Sequence, residues 1–238
     1  MNIYQIEITN KCNLSCYYCP RSAMTRPIKT IDKDVIDHIC NIITSKKVRL
    51  HHFGESLLEL DILLYTIKVL NNKKIKVELN TNGILLTNSN FSSLIKMGLS
   101  KLYISFHNYN SIKNLSEIKN DKDKINILFF DEEKYKDIIL DLLNNGFKCF
   151  TKRLRDLGQL NNTEKRSDFK NCSFLVNNEV VVLSNGKIVR CCECFDDSSD
   201  CVLGNIWETN IENRIIKKCE TCLGYSNDHG ESEKKNVR

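Results

Sequence analysis

An alternation runs from residue 3 to about residue 155: short apolar, β-branched runs separated by longer stretches with helical periodicity. Strands are predicted at Ile3–Thr9, Val48–Phe53, Lys74–Asn80, Lys101–Phe106, Ile125–Phe130 and Phe147–Arg153. Helices are predicted near 31–45, 58–71, 89–97, 111–119 and 132–145. Breakers fall where elements should end, at Asn82-Gly83 after the third strand and Asn145-Gly146 after the last helix. Six successive units of this kind predict a parallel sheet with helices outside it. Eight would close a full barrel, so the expected fold is α/β, a partial (β/α)6 TIM-like barrel with its chemistry at the C-terminal ends of the strands.

The character changes near 156–171, where DLGQLNNTEKRSDFKN is polar and reads as a linker. Beyond it, Val180–Leu183 and Lys187–Arg190 flank Ser184-Asn185-Gly186, a hairpin signal. A short helical segment follows near 208–218. The expected division is a barrel domain over 1–155, a linker over 156–171, a small second domain over 172–225, and a charged, disordered tail over 226–238.

Twelve cysteines bear on the chemistry. The chain opens directly on a strand pattern with no signal peptide, and no apolar run approaches the roughly 18–20 residues of a membrane span. A cytoplasmic protein without a membrane partner is expected, and in a reducing compartment thiols point to metal before disulfides. The formal charge of +5 comes from 35 basic and 30 acidic residues scattered over the whole length, which argues against a nucleic-acid-binding face.

Cys12, Cys16 and Cys19 have the spacing C-x3-C-x2-C directly after the first strand, hence at the barrel mouth. Three thiolates on such a loop can hold three irons of a [4Fe–4S] cube and leave the fourth open. A zinc knuckle is the competing reading. Structural zinc wants four ligands, and the nearest further candidate, His38, belongs to the following helix.

The segment KCNLSCYYCP resembles the signature of the radical S-adenosylmethionine (SAM) superfamily. The resemblance implies that the open iron chelates the amino and carboxylate groups of SAM, and that Tyr18 lies against the adenine. HFGES at 52–56 is similar to the family's Gly-Gly-Glu-Pro segment. It keeps Gly54 and Glu55 but carries Phe53 and Ser56 where glycine and proline are commoner. Thr81, Asn82 and Gly83 are similar to a stretch that lines the family's SAM pocket. Ser105 and His107 fall where ribose or substrate contacts are common, and Arg153 and Arg155 are candidates for binding a carboxylate.

A second set of thiols lies near the C-terminal end. Cys172, Cys191, Cys219 and Cys222 can furnish four ligands to a closed centre, either [4Fe–4S] or zinc. SNGKIVRCCE followed by CVLGNIWE resembles the SPASM region in its single-cluster form, the twitch domain, which implies an auxiliary [4Fe–4S] cluster. Cys192, Cys194 and Cys201 remain, as alternative ligands, hydrogen-atom donors or plain thiols. Cys40 and Cys149 read as core.

The resemblance implies reductive cleavage of SAM to a 5′-deoxyadenosyl radical, with flavodoxin or ferredoxin as electron donor. The radical would oxidise a small sugar-like or cyclitol substrate. Modification of a ribosomal peptide, an epimerase using Cys192 or Cys194, and a zinc-binding adaptor without catalysis are the alternatives carried forward.

Overall fold

A computed structural model describes residues 1–152, 173–197, 202–208 and 235–236. Six parallel strands appear in the expected order: β1 (Ile3–Ile6), β2 (Lys47–Leu50), β3 (Lys76–Thr81), β4 (Leu99–Ser105), β5 (Ile125–Phe129) and β6 (Lys148–Thr151). Each pairs in parallel with its successor. Helices α1 (Lys33–Ile42), α2 (Leu60–Asn72), α3 (Asn88–Met97) and α4 (Lys136–Asn144) connect them. The fold is mixed α/β with a largely parallel sheet, as in a partial TIM-like barrel.

Strand alternation sorts the side chains into two faces. Val48 and Leu50, Val77 and Leu79, Leu102 and Ile104, and Ile125 and Ile127 join one core with Ile36 and Ile39 of α1, Leu63 and Ile67 of α2, and Leu94 of α3. Cys40 and Cys149 belong to the same core, as expected. Burial pushes the Cys149 thiol up to about 12. The opposite face of the strands is polar and turns toward the barrel interior.

Two differences from the sequence expectations have physical causes. The expected helix over 111–119 is instead a pair of short 3₁₀ turns, Tyr109–Ser111 and Leu115–Glu117. Its apolar residues Ile112, Leu115 and Ile118 repeat every three positions, the 3₁₀ period. Asn108 caps the first turn by accepting from the Asn110 amide. The first strand stops its pairing with β2 at Ile6, because beyond it Glu7 bonds Val182 and Ile8 bonds Ile31. The hairpin strands β7 (Val180–Val182) and β8 (Lys187–Val189) do not form a sheet of their own. β7 adds in parallel to β1, and β8 and β9 (Val202–Asn205) continue antiparallel from it.

At the other edge, β10 (Lys235–Asn236), in the stretch expected to be a disordered tail, pairs antiparallel with β6. The short helix α5 (Ser173–Val176) precedes the hairpin. The expected linker over 156–171 and the helix expected to start near 208 fall outside the described residues, apart from Glu208. No helix among the described residues is long and apolar enough to cross a membrane.

Candidate functional site

The loop after β1 carries Cys12, Cys16 and Cys19, all half-buried at the mouth. The Cys19 amide donates to the Cys16 carbonyl at 3.0 Å, which tightens the loop. Burial raises the Cys12 and Cys19 thiols above their ordinary range. Among the described residues no three His, Cys, Asp or Glu side chains converge on a single metal ion. A cubane does not need that convergence, since each thiolate meets its own iron. His38, the other candidate for a zinc knuckle, packs its ring 4.4 Å from Trp207. Three half-exposed thiols on a tight loop are a donor set that fits a [4Fe–4S] cluster with one open iron.

Glu55 ties this loop to the neighbouring ones. Its amide donates to the Lys11 carbonyl at 2.7 Å, just before Cys12. Its carboxylate is buried and accepts from Leu57 N, from Thr81 Oγ1 at 2.9 Å and from Asn82 N at 2.7 Å. Burial is the larger influence and lifts its pKa, against these three donors. Gly54 sits where no side chain fits: a Cβ there would lie 1.9 Å from Thr9 O and 2.8 Å from Lys11 O. That close approach locks the segment after β2 against the start of the cysteine loop.

Asn82 then reaches the cysteine loop itself, donating from Nδ2 to Asn13 Oδ1 at 2.7 Å. Gly83 has φ of +79°, and a Cβ there would stand 2.1 Å from Ser111 O. Glu55, Thr81, Asn82 and Gly83 are thus brought together, and Asn13 is a member that motif reading did not single out. Ser105 ends β4, half-buried and in register with Leu128.

Tyr18 and His107 meet over the mouth. The phenol lies 2.8 Å from His107 Nδ1, and the rings are near parallel at 6.2 Å. Phe130 completes the group, 6.3 Å from Tyr18 and 6.2 Å from His107. Burial and the adjacent Cys16 raise the Tyr18 pKa, and burial lowers that of His107, so both rings are neutral near pH 7. A neutral aromatic wall beside three thiols is a surface on which a flat heterocycle can pack.

A buried ion pair, not foreseen from motifs, joins the two cysteine regions. Arg26 grips Glu7 with both guanidinium nitrogens at 2.6 Å, with side-chain exposures of 1% and 0%. Ser184 adds its amide and hydroxyl to Glu7 Oε2. Burial works to raise the Glu7 carboxyl, but the Arg26 bonds carry it below its ordinary value. From Arg26, Nε donates to Phe195 O at 3.0 Å, and the Thr25 and Arg26 amides donate to Asp196. His52 reinforces the join, with Nε2 3.0 Å from Cys194 O. A carbonyl only accepts, so Nε2 carries the proton and Nδ1 accepts from Gln5 Nε2 at 3.1 Å.

This network holds Cys191, Cys192 and Cys194 close to the barrel. The Cys191 and Cys194 sulfurs are 3.8 Å apart, Cys194 is buried, and Cys192 Sγ lies 3.7 Å from Glu193. Arg153, Arg155, Cys172, Cys201, Cys219 and Cys222 lie outside the described residues.

The model of the Radical SAM superfamily matches residues 6–158. That range runs from the last residue of β1 through β6 and takes in the thiol loop, Glu55 and Asn82, and the chain belongs to this superfamily of enzymes. Membership implies a [4Fe–4S] cluster and SAM.

Among individual proteins, the chain is similar to the S-adenosyl-L-methionine-dependent 2-deoxy-scyllo-inosamine dehydrogenase of Niallia circulans. Identity is 23% over 220 residues, covering 88% of this chain and 80% of the relative. It is also similar to a GTP 3′,8-cyclase of Clostridium perfringens, 31% identical over 215 residues, 78% of this chain and 65% of the relative. Other curated relatives match over about a third of their own length, 35% and 34% in two cases. Among solved structures, BtrN in complex with AdoMet and 2-DOIA superposes with a TM-score of 0.62 at 19% identity. That match covers 92% of this chain and 83% of that one, and bears on the fold.

Proposed function

We propose that this enzyme cleaves SAM reductively and uses the resulting radical to oxidise a small sugar-like or cyclitol substrate by two electrons. The observation that carries the reading is the thiol loop of Cys12, Cys16 and Cys19, fastened to Glu55 and Asn82 at the mouth of a radical SAM barrel. Cys12, Cys16 and Cys19 would hold a [4Fe–4S] cluster, which together with bound SAM would supply the 5′-deoxyadenosyl radical. Tyr18, with Phe130 and His107 beside it, packs the adenine. The segment of Gly54 and Glu55 and the stretch Thr81–Asn82–Gly83 shape the pocket for the methionine end. Ser105 and Arg153 complete the cofactor contacts.

In this reading Cys191, together with Cys172, Cys219 and Cys222, would hold an auxiliary [4Fe–4S] cluster, which would supply an acceptor for the second electron. The anchoring of the 191–196 loop on Arg26 and His52 supports it, because it keeps that loop against the barrel wall. Flavodoxin or ferredoxin in the cytoplasm supplies the first electron. Similarity to an inosamine dehydrogenase over 80% of its length favours a cyclitol over a ribosomal peptide.

The test is anaerobic turnover of 2-deoxy-scyllo-inosamine and of related cyclitols deuterated at each ring carbon. Deuterium appearing in 5′-deoxyadenosine, with a ketone product, supports the reading. A product with an inverted centre that carries solvent deuterium makes the enzyme an epimerase and gives Cys192 or Cys194 the role of hydrogen donor. Cleavage of SAM stimulated only by peptides overturns the cyclitol assignment.

A further inference from the structure

Below the mouth, the barrel wall keeps buried polar atoms that nothing among the described residues satisfies. They include His51 Nδ1 just beyond β2, Asn80 Oδ1 on β3 and Asn126 Nδ2 on β5. Val77 and Leu79 around Asn80, Ile125 and Ile127 around Asn126, and Leu50 before His51 all belong to the helix-side core. On their strands Asn80 and Asn126 therefore face the other way, into the barrel, and His51 follows directly on Leu50 at the end of β2. Pairing sets Asn80 beside Tyr103 and Tyr103 beside Asn126, so the two carboxamides stand at one level of the sheet. Asn126 is 2% exposed. Asn80 and Tyr103 each lie two residues before a mouth residue, Asn82 and Ser105, which is roughly 7 Å deeper along a strand.

The chemistry of this layer is selective. His51 is a neutral imidazole, because burial, helped by Arg49, His52 and Lys152, holds its pKa well below the ordinary histidine value. Asn80 Oδ1 only accepts and Asn126 Nδ2 only donates, while the histidine nitrogen takes either role by tautomer. Native interiors pair nearly all such atoms. A hydroxyl both donates and accepts, so a ring bearing several hydroxyls can satisfy all three together. A carboxylate would suit Asn126 but would leave Asn80 Oδ1 facing another acceptor. An apolar peptide side chain would leave all three unpaired.

We propose that His51, Asn80 and Asn126 form a recognition layer for the hydroxyl groups of a polyhydroxylated small molecule, beneath the SAM pocket. This rests on the cyclitol reading above and supplies the residues that would select such a substrate.

The experiment uses the full reconstituted protein with SAM and follows binding of 2-deoxy-scyllo-inosamine, myo-inositol and glucosamine by calorimetry. Wild type is compared with Asn80→Leu and Asn126→Leu. The expected result is that at least one polyol binds wild type and that each variant weakens it about tenfold, the loss of one hydrogen bond or a little more. SAM binding stays within about twofold and urea stability is unchanged or higher, since each substitution removes an unpaired buried group. A variant that weakens SAM equally assigns the layer to the cofactor and overturns the proposal. So does polyol binding that the variants leave intact. Wild type that binds no polyol, yet still releases 5′-deoxyadenosine on reduction, overturns the polyol layer while leaving the radical chemistry standing. Absence of SAM cleavage together with variant-sensitive polyol binding would instead overturn the catalytic reading and keep the layer.

Discussion

Replacing Arg26 with methionine isolates the join between the cysteine regions. Methionine keeps much of the stem but removes the guanidinium, leaving Glu7 with a fully buried carboxylate and, among the described residues, only Ser184 to donate to it. Breaking a buried pair from one side costs about 3–5 kcal/mol, because an uncompensated charge stays inside. The lost bond to Phe195 O adds about 1 kcal/mol.

The pH dependence changes sign. In wild type the Glu7 pKa is depressed, so its contribution is present at neutral pH and is lost as pH falls through the folded value. Without Arg26, burial is left as the dominant influence and raises that pKa. The penalty is then full at high pH and shrinks as pH falls toward the unfolded value. Anaerobic urea denaturation from about pH 8 to about pH 5 should show the gap between Arg26→Met and wild type narrowing. The double variant Glu7→Gln/Arg26→Met should lose less than Arg26→Met alone. A single-variant cost below about 1 kcal/mol, or one independent of pH, would refute the reasoning.

Gly54→Ala places a methyl 1.9 Å from Thr9 O and should cost about 3 kcal/mol or more, seen as a lower urea midpoint and poor soluble yield. Asn82→Ala cuts the bonds to Asn13 and Ile84, so iron should be lost to a chelator several-fold faster than from wild type at a stability cost of about 1–2 kcal/mol. Tyr18→Phe keeps the ring but removes the contact with His107. SAM affinity measured by calorimetry should fall by less than about tenfold, whereas Tyr18→Ala should lower it further.

Much of the frame was legible because periodicity reports burial directly. Val77 and Leu79, or Ile125 and Ile127, alternate with polar residues, and that pattern placed the strands and their helix-facing sides. Ends were less legible, since pairing and not composition decides them: Glu7 and Ile8 leave the strand and bond to Val182 and Ile31 rather than to β2. The helix expected at 111–119 failed because Ile112, Leu115 and Ile118 fit a three-residue period as readily as a helical one.

At the site, Cys12, Cys16 and Cys19 stood out by their spacing, and Gly54 and Glu55 only through the resemblance of HFGES to a family segment. Arg26, Asn13 and His52 were not legible, because their partners Glu7, Asn82 and Cys194 lie far away in sequence. One signal was available: Gln5 and Glu7 are polar residues on alternate positions of an apolar strand, which marks an interior with polar work to do.

The most direct test of the central claim is release of 5′-deoxyadenosine from SAM by the anaerobically reconstituted, dithionite-reduced protein, with wild type set beside Cys16→Ala. The account predicts 5′-deoxyadenosine from wild type and only background from the folded variant, with about four irons fewer bound. Equal release from both, or none from a wild type that holds its full iron complement, would contradict it.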